Sequence, residues 1–340
     1  MENIRFALNA ILPMLFVMLA GALAGRFSHF DRAFFKRVNG VAFRFFLSTN
    51  LFYNVYNLES FHSLNARVLL FAIGGCFLCM LIGFICARLC TKDPLKQGPM
   101  IQATYRSNNA IIGIPLAAAL GGTHVTETSA FTSVCAGCTI PIYAISAVLI
   151  LDSCVRRASK ETKVTPSVAQ WCKTLLLNPL VLGCLLGFVC VFIRSLLPEA
   201  DGVPVFTIKN QIPTLYKAIS SVAGAASPVM LFCLGATLDF HAGKALLKEI
   251  SVGVILKLII CPSIIIGLAL LFKNQLRLTV VEMPALVAIF ASPTAITSAV
   301  VAQESGCDGD LAAHLVVWSS VLSLASMFCV ILLLRGIGML

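Results

Sequence analysis

The sequence predicts an all-α polytopic membrane protein with ten transmembrane helices. Three observations carry that prediction. Residues of the hydrophobic set make up 59% of the 340-residue chain and charged residues only 12%, where a soluble domain carries about 25% charged residues. The mean hydropathy is +0.93. Apolar runs of about 20 residues, the length that crosses a bilayer as a helix, recur along the chain. So little charge cannot cover a water-soluble globule of this size. A cytosolic enzyme, a secreted domain and a nucleic-acid-binding protein are therefore excluded as leading readings.

Ten runs are assigned, at roughly 8–26, 38–58, 67–90, 99–121, 129–151, 174–197, 215–238, 250–272, 282–303 and 311–334. Span 1 has features of a secretory leader, with Arg5, an apolar run and then Ala22-Leu23-Ala24. It is kept as a true span because the repeat described below requires it. The chain carries 25 Lys and Arg against 15 Asp and Glu, a net charge of +10. In a membrane protein such an excess belongs to basic cytoplasmic loops. The loops after spans 1, 3, 5, 7 and 9 hold 14 Lys and Arg, and the opposite side holds 8. That bias places both termini outside and the odd-numbered loops in the cytoplasm, in a plasma (inner) membrane. The longest basic loop, 153–173, reads as a cytoplasmic linker between a first half, 1–152, and a second half, 174–340.

Five spans per half is an odd number. Two halves of like fold must then lie upside down relative to each other, as in many secondary transporters. Matching features support the pairing of span 1 with span 6. Pro13 precedes Gly21 by eight residues, and Pro179 precedes Gly187 by eight. The pairs Gly21/Gly25 and Gly183/Gly187 would let helices approach closely. The fourth span of each half is the more telling one. Span 4 contains RSNNAIIGIP with Pro115 deep in the segment, and span 9 contains AIFASPTAIT with Pro293 at the corresponding depth. A mid-helix proline lacks an N–H and clashes with the carbonyl four residues earlier, here those of Ile111 and Ile289. Groups freed in hydrocarbon need partners or a wet cavity. Ser107, Asn108, Asn109 and Gly113 flank one break, and Ser292, Thr294, Thr297 and Ser298 flank the other. Two broken helices at matching positions point to a midplane substrate site. Ordinary proline kinks are the plainer alternative.

The charges within spans indicate what such a site would bind. Arg44, Arg106 and Lys257 fall inside spans, where a charge costs at least about 2.5–3.5 kcal/mol at the bilayer centre. Arg106 lies nine residues before Pro115, roughly 13 Å toward the cytoplasm at helical rise, from where it could snorkel to the interface. Snorkelling also suits Arg44. Lys257 lies about two turns into span 8, with no acid in that span, and reads as a structural or coupling cation. Three cations and no mid-membrane carboxylate favour an anionic substrate. Asp239 and Glu282 are expected at interfaces, and His314 as a packing residue. Asn108 and Asn109 can donate hydrogen bonds to a carboxylate, although helix–helix contact is the plainer role for either. The half-helix after each break would add unpaired N–H groups and the positive end of a dipole. The candidate substrate-binding residues are Asn108, Asn109, Gly113, Pro115, Pro293, Thr294 and Ser298, with Asn108 as the direct donor. Lys257 and Arg106 are the candidate coupling or structural charges.

The 14 cysteines lie mostly inside apolar runs, and the pairs Cys76/Cys79 and Cys135/Cys138 have no second pair or nearby His at zinc-ligand spacing. No metal site and no cofactor are expected. No Ser/His pair, HExxH motif or set of carboxylates at depth supports an embedded enzyme. A channel would need a ring of charges or carbonyls, and an anion channel is kept as a lesser alternative.

The pattern from Asn108 to Pro115, SPVMLFCLGATLDF in span 7, Lys257 followed by Pro262 in span 8, and DGDLAAHLVVWSSVLSLASMF near the end together resemble the auxin efflux carrier family. The resemblance runs in order along the whole chain. It implies a ten-helix transporter related to the bile-acid/sodium symporters, with broken helices 4 and 9 crossing at the substrate site. It also implies a scaffold of spans 1, 2, 6 and 7 and a mobile bundle of spans 3–5 and 8–10, moving as an elevator. The implied substrates are organic anions, auxin in plants and malate, malonate or similar acids in bacterial relatives. This chain lacks the long central cytoplasmic loop of the plant long forms, which favours a bacterial-type permease. The implied partners are a small organic anion, the lipid bilayer and a second copy joined through the scaffold. A coupling proton or Na+ remains possible, Na+ being the bile-acid-type alternative.

Overall fold

The computed structural model describes residues 2–27, 30–58, 64–159, 179–197, 199–200, 203–204, 206–237 and 246–340. Helix α1 (Glu2–Phe27) is followed by α2 (Arg32–Val41), which Asp31 caps by accepting the Phe34 N–H at 2.7 Å. A π-helical turn, Ala42–Leu47, carries α2 straight into α3 (Ser48–Tyr56). After Asn65 caps it, α4 (Ala66–Cys90) runs for 25 residues. Next come α5 (Pro94–Tyr105), a π turn at Asn109–Gly113, α6 (Ile114–Leu120) and α7 (Val125–Ser159). Beyond the linker lie α8 (Pro179–Leu196), a two-residue strand pair Glu199–Ala200 and Val203–Pro204, α9 (Ile208–Gln211) and α10 (Pro213–Thr237). The rest is α11 (Leu247–Ile255), a π turn Leu256–Ile260, α12 (Cys261–Leu271), α13 (Lys273–Leu276), α14 (Met283–Phe290), α15 (Thr297–Glu304) and α16 (Gly309–Gly336).

Among the described residues, seven helical stretches are long and apolar enough to cross a membrane. They fall where spans 1, 3, 5, 6, 7, 8 and 10 are expected. The stretch expected as span 2 is the run from α2 to α3, and the stretches expected as spans 4 and 9 are each split in two. Large apolar side chains such as Phe16, Leu70, Leu89 and Leu333 stand exposed on the outer faces, the composition of a surface solvated by lipid rather than water. Helix α7 continues to Ser159, seven residues into the stretch 153–173 expected as the linker. Residues 160–178, holding the rest of the linker and the start of span 6, and Asp239 lie outside the described residues.

Two helix pairs are in backbone contact. Helix α1 lies along α10, and α3 lies along α8. A Cβ on Gly21 would overlap the Phe232 carbonyl oxygen, and one on Gly235 would overlap that of Met18. In the other pair, a Cβ on Gly183 would overlap the Ser48 carbonyl oxygen, and one on Gly187 would stand 2.8 Å from Val55 Cβ. Without Cβ atoms the helices close to direct van der Waals contact, the small-residue packing that lipid cannot replace.

The remaining helices surround α5. Every residue from Gln97 to Tyr105 is buried, between α4, α7, α11 and α16. Asp93 starts α5 by accepting the Leu95 N–H at 2.9 Å. Pro99, inside the helix, cannot bond the Leu95 carbonyl. That carbonyl instead accepts the Asp308 N–H at 3.1 Å, just before α16. Helix α14 is buried along its whole length, Met283–Phe290, against α6 and α7.

Candidate functional site

Between α5 and the π turn at Asn109 the chain leaves the helical conformation. Arg106 adopts φ −75°, ψ 104°, and Asn108 φ −80°, ψ 42°. The second interruption runs from Ala291 to Ile296, between α14 and α15. Ser, Asn and Thr favour such departures because their side chains compete for the backbone, and Pro293 denies the second stretch a donor. Buried amides and carbonyls released from helices must still be paired. Here the two interruptions pair with each other. The Asn108 N–H donates to the Pro293 carbonyl at 2.7 Å, and the Ala295 N–H donates to the Arg106 carbonyl at 3.0 Å. Ser107 and Thr294 stand opposite each other in this single antiparallel bridge.

This places the first break at Arg106–Asn108 and not at Pro115, which corrects the expectation from sequence. Pro115 sits in the first turn of α6, where no N–H is required. The π turn before it ends with the Ile114 N–H bonded to the Asn109 carbonyl, a wide turn that admits the proline without ending the helix. The same device precedes Pro262, where the Cys261 N–H bonds the Leu256 carbonyl.

Of the two placements that the sequence left open for Arg106, the structure shows the buried one: it lies beside the bridge and is only 6% exposed. Its Nη1 donates to Gln102 Oε1, and its Nη2 donates to Thr297 Oγ1 at 2.9 Å. No carboxylate among the described residues pairs with it. Its Nε is buried without a partner, as are Gln102 Nε2, Asn108 Nδ2, Ser292 Oγ and Ser298 Oγ. Native interiors leave few such groups unpaired, so five around one backbone bridge single it out.

The other predicted residues have tasks in the framework. Asn109 Nδ2 donates to Thr139 Oγ1 on α7 at 3.1 Å. Thr294 Oγ1 donates to the Ala103 carbonyl at 3.0 Å, and the Thr294 N–H donates to Ser319 Oγ at 3.1 Å. A Cβ on Gly113 would stand 2.6 Å from the Ala288 carbonyl oxygen, so this glycine lets α14 pass. Pro293 supplies a bridging carbonyl. The Ser298 and Ala299 N–H groups turn back to the carbonyls of Ala295 and Ile296, so the first turn of α15 presents fewer free amides than expected.

Lys257 is 2% exposed, in the π turn between α11 and α12. The thiols of Cys76, Cys79 and Cys261 lie near it, and no described carboxylate pairs with it. Cys76 Sγ lies 3.4 Å from Tyr143 Oη, and the Tyr143 ring meets the Tyr105 ring edge-on at 5.9 Å. Tyr105 is the residue before Arg106, so buried polar groups lead from Lys257 toward the crossing. Arg44 is exposed on the outer face. Glu282 is buried, where its Oε2 accepts the Thr279 N–H at 2.8 Å. The described residues contain no group of three His, Cys, Asp or Glu placed to hold a metal ion.

Gln102, Thr139 and Ser319 were not singled out from sequence. Gln102 could have been, since it precedes Arg106 by one helical turn in an apolar stretch, the spacing of facing side chains. Thr139 and Ser319 sit in long apolar helices and carry no local signal.

Compared with known families, residues 6–331 match the model of a family described as a membrane transport protein. No curated protein matches the sequence. With nearly the whole chain covered by that match, and with apolar helices enclosing a polar crossing, the protein is an integral membrane transporter that belongs to the membrane transport protein family, the auxin efflux carriers.

Proposed function

We propose that this transporter carries a small organic anion by alternating access and binds it where the two helix breaks cross. One observation carries the reading. Within five residues of the buried bridge at Ser107 and Thr294 lie five polar atoms without partners, and three of them, Asn108 Nδ2, Arg106 Nε and Gln102 Nε2, can only donate. A ligand with negatively charged acceptor oxygens satisfies them. Arg106 and Lys257 add buried positive charge with no described carboxylate to balance it. Asn108 is the direct donor in this reading. Asn109, Gly113, Pro115, Pro293, Thr294 and Ser298 shape and support the site.

The architecture proposed is ten spans in two inverted repeats. The pairing of α1 with α10 and of α3 with α8 supports it, because exchanging span 1 with 6 and span 2 with 7 maps one pair onto the other. The antiparallel bridge relates spans 4 and 9 in the same sense. Spans 1, 2, 6 and 7, sealed by glycine contacts, form the scaffold, and the others move against it as an elevator. Both termini lie outside the plasma membrane, the scaffold pairs two copies, and Lys257 is the candidate coupling group for a proton or Na+.

Uptake into proteoliposomes tests the reading. Labelled organic acids should enter saturably, and unlabelled acid trapped inside should accelerate their entry, which a channel does not produce. Transport confined to cations or neutral solutes overturns the anion assignment. A tag at Met1 that is reached only from the cytoplasm overturns the orientation.

A further inference from the structure

We propose that the groove between α1 and α2 is a binding site for an anionic phospholipid, with one acyl chain in the groove and the phosphate held by Arg32 and Arg37. The site needs only the membrane placement of the chain and does not depend on what is transported.

The sequence of α2 sets the arrangement. At 3.6 residues per turn, Phe34, Phe35 and Val38 fall on one face of this helix. Arg32 and Arg37 fall on the two flanks of that face, and Lys36 on the opposite side. This is the pattern of a helix at the edge of a bilayer, whose arginines lay their stems along apolar surface and reach outward with their charge. From Arg26 to Val41 the chain carries four Lys and Arg against one acid, Asp31, whose carboxylate caps α2.

Packing turns that face into a groove. Both α1 and α2 lie on α10. Gly21 and Gly25 hold α1 at the backbone of Phe232 and Ala236. Phe35 anchors α2, with its ring 6.1 Å from that of Phe232 and its side chain clustered with Cys233 and Ala236. Between α1 and α2 an open groove of about 420 Å³ remains. Phe35 and Cys233 form its buried floor, and Val17, Phe34, Val38 and Val229 its half-buried walls. Its described lining holds no hydroxyl, amide or charge.

An acyl chain suits such a lining, because it brings no polar group that would lose its partners there. Val17 and Ala20 precede the end of α1 at Phe27 by ten and seven residues, roughly 10–15 Å at helical rise. The groove therefore runs from the charged start of α2 into the hydrocarbon, the course of a lipid in its leaflet. Arg32 and Arg37 are exposed beside it. A guanidinium fork matches phosphate oxygens two at a time, and basic pockets at the membrane edge take anionic head groups.

Lipid retention on the purified full chain decides the matter, read by native mass spectrometry after incubation with equimolar dioleoyl-phosphatidylglycerol and dioleoyl-phosphatidylcholine. The chain should keep phosphatidylglycerol roughly tenfold over phosphatidylcholine, the preference that two arginines supply. Phosphatidylglycerol should also raise the melting temperature, as a ligand of the folded state does. Arg32→Gln with Arg37→Gln should abolish the preference, and Val38→Trp, which fills the groove and keeps the charges, should abolish retention. Arg88→Gln with Lys92→Gln, which removes two charges from another basic loop, should change neither. Equal retention of the two lipids by the parent, or an equal loss of preference in the Arg88 and Lys92 variant, overturns the site in favour of general surface charge. Glycerol 3-phosphate that raises the melting temperature as much as the lipid overturns it too, since the groove would then play no part. Unchanged retention in Val38→Trp also overturns it, and a dimer lost in that variant would assign the groove to a second copy. If Val38→Trp does not fold, Ala20→Leu narrows the groove from its exposed wall, and unchanged retention there has the same force.

Discussion

The contact of α1 with α10 and the crossing of the two helix breaks both bring main chains together, by opposite means. Along α1 and α10 the helices run unbroken, and contact follows from what is missing, the Cβ atoms of Gly21 and Gly235. At the crossing the helices are interrupted, and the main chains bond each other through Asn108, Pro293, Arg106 and Ala295. The first arrangement has no space for an added Cβ at Gly21 or Gly235. The second leaves buried side-chain donors without partners, beside an exposed Thr297. A sealed contact supplies rigidity, and an interrupted one supplies chemistry.

The sharpest way to break this contrast is at the glycines. Overpacking a well-filled site costs about 1–3 kcal/mol, and here the obstacle is a helix backbone that cannot step aside. Gly21→Val should therefore remove most of the folded protein, read as a monodisperse peak in fluorescence-detected size exclusion. Gly267→Ala should not, because nothing lies within 4 Å of that position. A well-folded Gly21→Val would mean that α1 and α10 are not in backbone contact.

At the crossing, Asn108→Ala should act in the reverse sense. A hydrogen bond to a charged group contributes about 1.5–3 kcal/mol, so affinity for the transported anion should fall roughly tenfold to 150-fold. The melting temperature without ligand should hold or rise, since a buried amide group without a partner is removed. Undiminished binding would take Asn108 out of the site. Thr294→Val tests the framework side of the same bridge. It deletes the bond to the Ala103 carbonyl and should lower stability by about 0.5–1.5 kcal/mol, seen as a lower melting temperature. The smallest effect is expected for Pro115→Ala, a loss of about 0.4–1 kcal/mol through the unfolded chain, with anion affinity preserved. A large loss of affinity would restore Pro115 as the origin of the break.

The sequence disclosed the membrane helices because lipid imposes a length and a composition that stand out in any window. It also pointed to the two interrupted spans, through Pro115 and Pro293, and the family resemblance implied that they cross. It misplaced the first break because the nearest proline is a local signal and the actual cause is distant. Arg106–Asn108 is pulled out of helix by a partner about 185 residues away, and a π turn makes Pro115 harmless. For Arg106, helical rise measured from Pro115 left an interfacial placement open, and only the bridge brings out its burial. The spacing of Gly21 and Gly25 announced a close helix contact but could not name Phe232 and Ala236 as the backbone facing it. Thr139 and Ser319 stayed hidden because a hydroxyl in an apolar helix has a role only once its neighbour is known.

The antiparallel bridge also sets a timetable for biogenesis. When Ser107 leaves the ribosome, Ser292 is 185 residues behind it, roughly 10–40 s at about 5–20 residues per second. Through that interval the bridging partners of Arg106 and Asn108 are absent, and the hydrocarbon around span 4 offers no substitute. The insertion machinery, or water admitted beside it, must shelter that segment until the second half arrives.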